Sequence, residues 1–132
     1  TPNGWIVTGY PWNGINTPEH KTFLAAYQAR HKDYPRLGSV VGYTMIQSLA
    51  TGIRKANSTE TEKLITAFRG LAIETPFGKA TFRAQDQQST MGAFVGRTKN
   101  DNGKGIMVDY RYLDGAAFQP SNDDVKKLRK AD

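Results

Sequence analysis

The chain has 132 residues, a length that suits one domain, and its content of 38% apolar and 23% charged residues is typical of a globular protein. The absence of cysteine excludes a disulfide framework, an iron–sulfur cluster and a cysteine zinc site. No apolar run approaches the roughly 18 residues of a membrane span. The net charge of +6 comes from basic residues spread along the chain, which indicates a solvated surface more than a nucleic-acid footprint.

The chain is predicted to begin with a strand and a helix. Residues 5–10 are apolar and β-prone, and residues 11–14 turn the chain. Thr17 is the expected N-cap of a helix that runs to about His31, with Pro18 in its first position.

Two further helices are predicted to follow. The second covers residues 40–56, ends at a left-handed Asn57, and places four apolar residues at i, i+3, i+4 and i+7, which predicts a stripe that faces a core: Ile46, Leu49, Ala50 and Ile53. Residues 59–62 have the pattern of a capping box and begin a third helix that stops at Gly70.

The second half is predicted to be mainly β-structure. A turn at residues 75–78 leads to a short strand at residues 79–83. Residues 90–98 and 105–112 are predicted to form a hairpin, and residues 121–130 a terminal helix capped by Ser121. Three consecutive helices between short strands suggest that these strands need partners from elsewhere. The chain is therefore expected to be part of a larger α/β protein.

No motif of a catalytic, nucleotide-binding or metalloprotease site is present. The two histidines, His20 and His31, lie about three helical turns apart, too far to bind one metal ion, and both are expected at the surface. The sequence therefore predicts neither an enzyme nor a bound metal or cofactor.

Three aromatic residues are the candidates for ligand binding. Tyr10 and Trp12 flank Pro11 just past a strand end, where ligands of open α/β sheets bind. Tyr43 lies near the start of the second helix, where backbone N–H groups could meet a carboxylate. Two of them have an alternative: Trp12 could pack its loop onto the core, and Tyr43 could face the core.

Several segments, in their order and spacing, resemble the last third of the periplasmic solute-binding proteins of ABC importers, branched-chain amino acid type. The most specific is the segment at residues 75–78 with Thr81, Phe82 and Arg83. The others are residues 4–12, 22–27, 42–51, 55–58, 91–96 and 105–110. The resemblance implies the type I periplasmic-binding-protein fold, with two α/β lobes joined by three crossings.

On this resemblance, residues 1–83 belong to lobe 1 with its entering hinge strand, and residues 90–132 supply the hairpin and terminal helix of lobe 2. The first crossing is absent from the chain. The second is expected at residues 8–11, and the third is the polar hinge at residues 84–89. The implied hinge residues are Thr8, Gly9, Ala84, Gln85, Asp86, Gln87 and Gln88.

The function that the resemblance implies is periplasmic solute capture without catalysis. The lobes close around a branched-chain amino acid, a related amide or an aromatic carboxylate, and the closed form docks on a membrane permease. The chain starts at Thr1 without a signal peptide, which suggests a piece of a longer precursor that lacks most of the cleft. Such a piece is expected to have open strand edges that associate with another chain.

Solute capture has three alternatives. A ligand-sensing domain of the same fold in a receptor or regulator is the main alternative. A nucleic-acid binder is suggested only by the net charge, and an enzyme has no supporting motif.

Overall fold

The computed structural model describes residues 1–128 and shows a mixed α/β chain. Its elements, in order, are β1 (Ile6–Gly9), α1 (Pro18–His31), α2 (Leu37–Ala56), α3 (Thr61–Phe68), β2 (Ala72–Thr75), β3 (Gly78–Thr81), β4 (Ala93–Asp101), β5 (Lys104–Leu113), a 3₁₀ helix (Gly115–Phe118) and α4 (Asn122–Leu128). The predicted α/β class is confirmed. Within residues 1–128, no helix has the length and apolar character needed to cross a membrane.

The strands form two separate antiparallel sheets. One has the order β1-β4-β5, and the other is the β2-β3 hairpin. β1 pairs with β4 and β3 pairs with β2, so each short strand has a partner within the chain. The outer edges of β1 and β5 have no strand beside them within residues 1–128, and the expectation that strands need partners from elsewhere stays a prediction. Sequence reasoning missed β2 because its four residues, between Gly70 and the turn at Pro76, are too few to show an alternating pattern.

The start of α1 is fixed by Thr17, as predicted. Its Oγ1 accepts a hydrogen bond from the His20 backbone N–H at 3.1 Å and donates one to the Pro76 carbonyl at 2.7 Å. The cap therefore satisfies a helix N–H group and also ties α1 to the turn between β2 and β3.

The prediction that the apolar stripe of α2 faces a core is wrong. Ile46 and Leu49 are exposed, and the buried residues are Val40, Thr44, Ser48 and Gly52, spaced four apart. A Cβ atom on Gly52 would lie 2.5 Å from the Phe68 ring, so α3 packs where the α2 side chains are small. Hydrophobicity alone does not reveal this contact, because it depends on the close approach of two helices.

The expected capping box of α3 does not form. The helix begins at Thr61, so Glu60 takes the cap position that the box requires for Thr59, and its side chain makes no capping hydrogen bond. An exposed ion pair of 3.0 Å joins Glu60 to Lys63. α2 also begins at Leu37, three residues earlier than predicted.

The second half follows the prediction more closely. β4 and β5 form the expected hairpin, and its turn is tight because Asn102 and Gly103 both take positive φ, at 50° and 85°. Ser121 caps the last helix by accepting from the Asp124 N–H at 3.2 Å. The predicted end of this helix at Lys130 lies outside the described residues.

The main core joins segments that are distant in sequence. Its buried residues are Ile15, Phe23, Val40, Phe77 and Phe94. The ring of Phe77, in the β2-β3 turn, meets Phe94 of β4 edge to face at 5.0 Å. The core therefore connects the helices with the three-stranded sheet. Tyr10 and Tyr112 are partly buried and pack against this core.

Candidate functional site

The turn after β1 directs two aromatic side chains to different places. The N–H of Trp12 donates to the Tyr10 carbonyl at 2.8 Å, and that of Gly14 donates to the Pro11 carbonyl at 2.9 Å. Pro11 is buried beneath this turn. Tyr10 points toward α1, while Trp12 stacks on the segment between α1 and α2.

Tyr10 and His20 form a buried polar pair, which corrects the prediction of a surface His20. The Tyr10 hydroxyl and His20 Nε2 share a hydrogen bond of 2.7 Å, and the side chain of His20 is fully buried. Burial raises the pKa of Tyr10 far above its usual value and lowers the pKa of His20, with the Ile15 backbone opposing the latter shift. Both groups are therefore neutral near pH 7.

Trp12, Tyr34 and Arg36 form a stacked column. The rings of Trp12 and Tyr34 are nearly parallel, with centroids 5.0 Å apart and an interplanar angle of 16°. The Arg36 Cζ lies 3.6 Å from the Tyr34 ring centroid, a cation–π geometry. The column presents an aromatic surface beside a cation.

Asp33 holds the Arg36 guanidinium in this place. Arg36 Nη2 lies 3.3 Å from Asp33 Oδ2, and Nη1 donates to the Tyr34 carbonyl. The Tyr34 N–H, which donates to Asp33, lowers the pKa of this carboxyl, and Arg36 adds to the effect. The ion pair is exposed, so water screens the attraction between its two charges. Asp33 therefore orients the Arg36 guanidinium but leaves its positive charge available to a ligand.

The column and Tyr10 line one cleft, which has a volume of about 650 Å³. The other wall is the end of the β4-β5 hairpin, formed by Gly103 of the turn and the first three residues of β5, Lys104, Gly105 and Ile106. The cleft therefore lies between the helix-bearing part of the chain and the hairpin, which the sequence prediction assigned to different lobes.

The structure brings two of the three predicted ligand-binding residues together. Tyr10 and Trp12 share the cleft, whereas Tyr43 lies on a separate groove of about 340 Å³ with Thr22 and Gln47. The Tyr43 ring packs on Phe23 with centroids 4.9 Å apart and remains partly exposed. The role of each of the three in ligand binding stays a prediction.

Sequence reasoning missed Tyr34 and Arg36. In the sequence, the segment 33–35 predicts only the end of a helical region, because a proline disfavours helix for the residue before it. The signal that could have drawn attention to Arg36 is its place directly after Pro35, at the cap of α2.

The predicted hinge residues occupy two different settings. Thr8 and Gly9 pair with Val95 and Phe94 across the sheet. Residues 84–88 form a turn that a backbone hydrogen bond of 3.0 Å from the Arg83 N–H to the Gln88 carbonyl closes. Within it Arg83 pairs with Asp86, and their side chains are 18% and 4% exposed. Gln87 takes a φ of 57° and donates from its side chain to the Ile65 carbonyl at 2.9 Å. The hinge role and the lobe boundaries stay predictions, and the β1-β4 pairing joins the two sides of the predicted boundary.

The chain belongs to the family described as periplasmic binding protein, whose sequence profile matches residues 2–104. It is 31% identical over 65 residues to the leucine-, isoleucine-, valine-, threonine- and alanine-binding protein of Pseudomonas aeruginosa, a stretch that covers 49% of this chain and 17% of that protein. The predicted resemblance to the binding proteins of ABC importers is thereby confirmed.

Two solved structures from Rhodopseudomonas palustris share the fold. One, described as an ABC-type branched-chain amino acid transporter, is 27% identical with a TM-score of 0.73, covering 86% of this chain and 31% of its own. The other is a solute-binding protein in complex with 3,4-dihydroxybenzoic acid, 19% identical with a TM-score of 0.72, covering 85% and 31%. The chain therefore spans about a third of the length of these relatives and forms part of their fold.

Proposed function

We propose that the chain takes part in solute capture for an ABC importer, as one portion of a two-lobed binding protein in the periplasm. The observation that carries this proposal is the cleft between the Trp12-Tyr34-Arg36 column and the end of the β4-β5 hairpin at residues 103–106. A cleft whose walls come from both predicted lobes is the arrangement that hinge closure requires. Membership of the periplasmic binding protein family supports the same function.

The chemistry of the cleft favours a small carboxylate with an apolar or aromatic body. Arg36 offers N–H donors and a positive charge suited to a carboxylate, and Trp12 offers a flat apolar surface. The names of two relatives refer to aliphatic and branched-chain amino acids. We therefore propose an amino acid or a related aromatic acid as the solute.

In this proposal no covalent bond is made or broken. A solute that contacts both walls binds the closed form more tightly than the open form, so it shifts the population toward closure. The closed form then docks on the membrane permease. The Tyr10 hydroxyl is already hydrogen-bonded to His20. In this proposal Tyr10 therefore anchors the turn that carries Trp12 to α1.

Isothermal calorimetry on the product of the full reading frame tests this function, with leucine, phenylalanine and benzoate as probes. We expect saturable binding of at least one probe, and we expect Trp12→Ala to weaken it roughly tenfold or more, since the substitution removes a stacked aromatic wall. The matched control is Trp5→Ala, which removes an exposed indole directly before β1, outside the cleft.

Equal affinity in the Trp12 and Trp5 variants would contradict a solute site in this cleft. Residues 1–132 by themselves are expected to bind these probes more weakly than the full product, since the rest of the two-lobed protein supplies much of the site. A ligand-sensing domain of the same fold is the alternative. A transmembrane or DNA-binding segment in the full reading frame would favour it.

A further inference from the structure

Each of the two walls of the cleft carries one cation. Arg36 belongs to the aromatic column, and Lys104, the first residue of β5, lines the other wall beside Gly105 and Ile106. Both cations are exposed, the Arg36 side chain to 56%. Among residues 1–128, the other residues that line the cleft are uncharged. The space that a solute would occupy is therefore positively charged on both sides.

Lys104 forms no ion pair in the part of the chain that the structure describes. Asp101 lies opposite it in the register of the hairpin, but its carboxylate accepts from the Asn102 side chain at 3.5 Å and does not line the cleft. On the other wall, Asp33 pairs with Arg36 in an exposed contact of 3.3 Å and does not line the cleft either. Both positive charges are therefore available to a solute.

Closure of the cleft would bring these two cations closer together. Two like charges repel each other, and the repulsion grows as water leaves the space between them. A solute with one carboxylate can neutralise the cation of one wall, whereas a solute with an anionic group at each end can neutralise both. Such a solute removes the repulsion that opposes closure and accepts a charge-assisted hydrogen bond from each wall.

We propose that the cleft selects a dicarboxylate with a flat apolar body, which Arg36 binds from one wall and Lys104 from the other while Trp12 stacks on the body. The volume of about 650 Å³ lies within the range of sites that hold drug-sized ligands. A zwitterionic amino acid fits this cleft less well, because its ammonium group would meet no acidic side chain among the described residues that line it. This inference rests on the proposed solute capture and narrows the class of solute.

Isothermal calorimetry on the product of the full reading frame can compare three probes that share one ring: benzoate, isophthalate and terephthalate. We expect at least one of the two dicarboxylates to bind at least about tenfold more tightly than benzoate, since it gains a second charge-assisted contact. Lys104→Gln should abolish this advantage, whereas Lys104→Arg, which keeps the charge, should preserve it. Lys99→Gln is the matched control, because Lys99 is an exposed cation on the paired strand β4, outside the cleft.

Different results bear on the second carboxylate contact and on solute capture itself. Binding of benzoate, leucine or phenylalanine without a preference for either dicarboxylate would overturn the second contact and leave solute capture intact. A preference that is equally large in Lys104→Gln and Lys99→Gln would overturn the role of Lys104. Saturable binding of none of the probes would contradict solute capture and the dicarboxylate preference together.

Discussion

Tyr10 and His20 show how a single contact changes the meaning of a residue. A histidine on a polar helix is expected in solvent, but Tyr10 reaches α1 from the end of β1 and engages Nε2. The rings of Tyr10 and Phe23 lie next to it, with centroids at 5.6 Å and 6.4 Å. The buried imidazole therefore links the turn that carries Trp12 to the first helix.

The burial of His20 predicts that stability falls at acidic pH. Because its pKa is lowered in the folded state, the unfolded chain binds more protons as the pH falls below the ordinary value of 6.5. The free energy of unfolding should therefore be fully present above this value and decrease below it. Urea denaturation between pH 7.5 and 5 measures the decrease.

The dependence of the free energy of unfolding on pH, more than its absolute value, shows whether His20 causes the decrease. His20→Gln is expected to reduce the slope even if the variant is less stable at every pH. His31→Gln, which removes an exposed histidine from the same helix, is expected to leave the slope unchanged. An unchanged slope in the His20 variant would contradict this explanation.

Arg36 is the residue that we expect to select for a carboxylate. Arg36→Gln removes the charge and should weaken binding of a carboxylate solute about tenfold or more, the scale of a charge-assisted hydrogen bond. Arg36→Lys keeps the charge but loses the planar fork, so its affinity should be intermediate. Arg30→Gln removes an equal charge from the last turn of α1 and should have little effect, and calorimetry compares the three.

At the scale of elements, the buried face of α2 illustrates what side-chain size decides. Thr44, Ser48 and Gly52 are small, so α3 approaches closely and Phe68 fills the space over Gly52. The larger apolar residues of α2 remain outside this contact. A pattern of apolar residues therefore predicted the helix correctly but assigned it the wrong buried side.

The entry into β4 depends on a glycine. A Cβ on Gly92 would lie 1.9 Å from the Leu113 carbonyl oxygen and 2.8 Å from the Gly115 nitrogen, both backbone atoms that cannot rotate away. Gly92→Ala should therefore destabilise the protein by about 1–3 kcal/mol, the usual cost of overpacking. The Gly92 N–H also donates to the Tyr112 hydroxyl at 2.7 Å, a bond that a backbone shift would disturb.

Gly42→Ala is the matched control for this substitution. Gly42 lies within α2, and a Cβ there would meet no atom within 4 Å. Because alanine is the better helix former, this variant should be more stable by roughly 0.5–1 kcal/mol. Urea denaturation of both variants measures the difference, and equal effects in the same direction would contradict the packing explanation.

At the scale of the whole molecule, the predicted hinge must allow movement between parts that share a core and a sheet. Residues 84–88 are held as one turn, and Arg83 also donates to the Pro120 carbonyl at 2.8 Å. We therefore expect that any rotation concentrates at the ends of this turn and of β1. Larger parts of the chain would then move as units.

Closure predicts a change of size in solution. Small-angle X-ray scattering on the product of the full reading frame should show a smaller radius of gyration when a bound solute is saturating, because the lobes approach each other. The Arg36→Gln variant should need a higher solute concentration for the same change. A radius of gyration that is independent of bound solute would contradict closure.

The elements with strong local signals were predictable from the sequence. Thr17 and Pro18 defined the start of α1, Asn102 and Gly103 the hairpin turn, and Asn57 the end of α2, because caps and positive-φ turns depend on adjacent residues. The order and spacing of several segments also identified the family.

The contacts between residues distant in sequence become known only from the fold. The fold pairs β1 with β4 and β2 with β3, and it buries His20 against Tyr10. It also stacks Tyr34 on Trp12 and places Arg36 over the Tyr34 ring. These contacts join residues that are separated in sequence, and their free energy depends on packing geometry that local patterns do not encode. The sequence therefore predicted two aromatic residues of the candidate site, Tyr10 and Trp12. Tyr34 and Arg36 were recognised as part of it only from the fold.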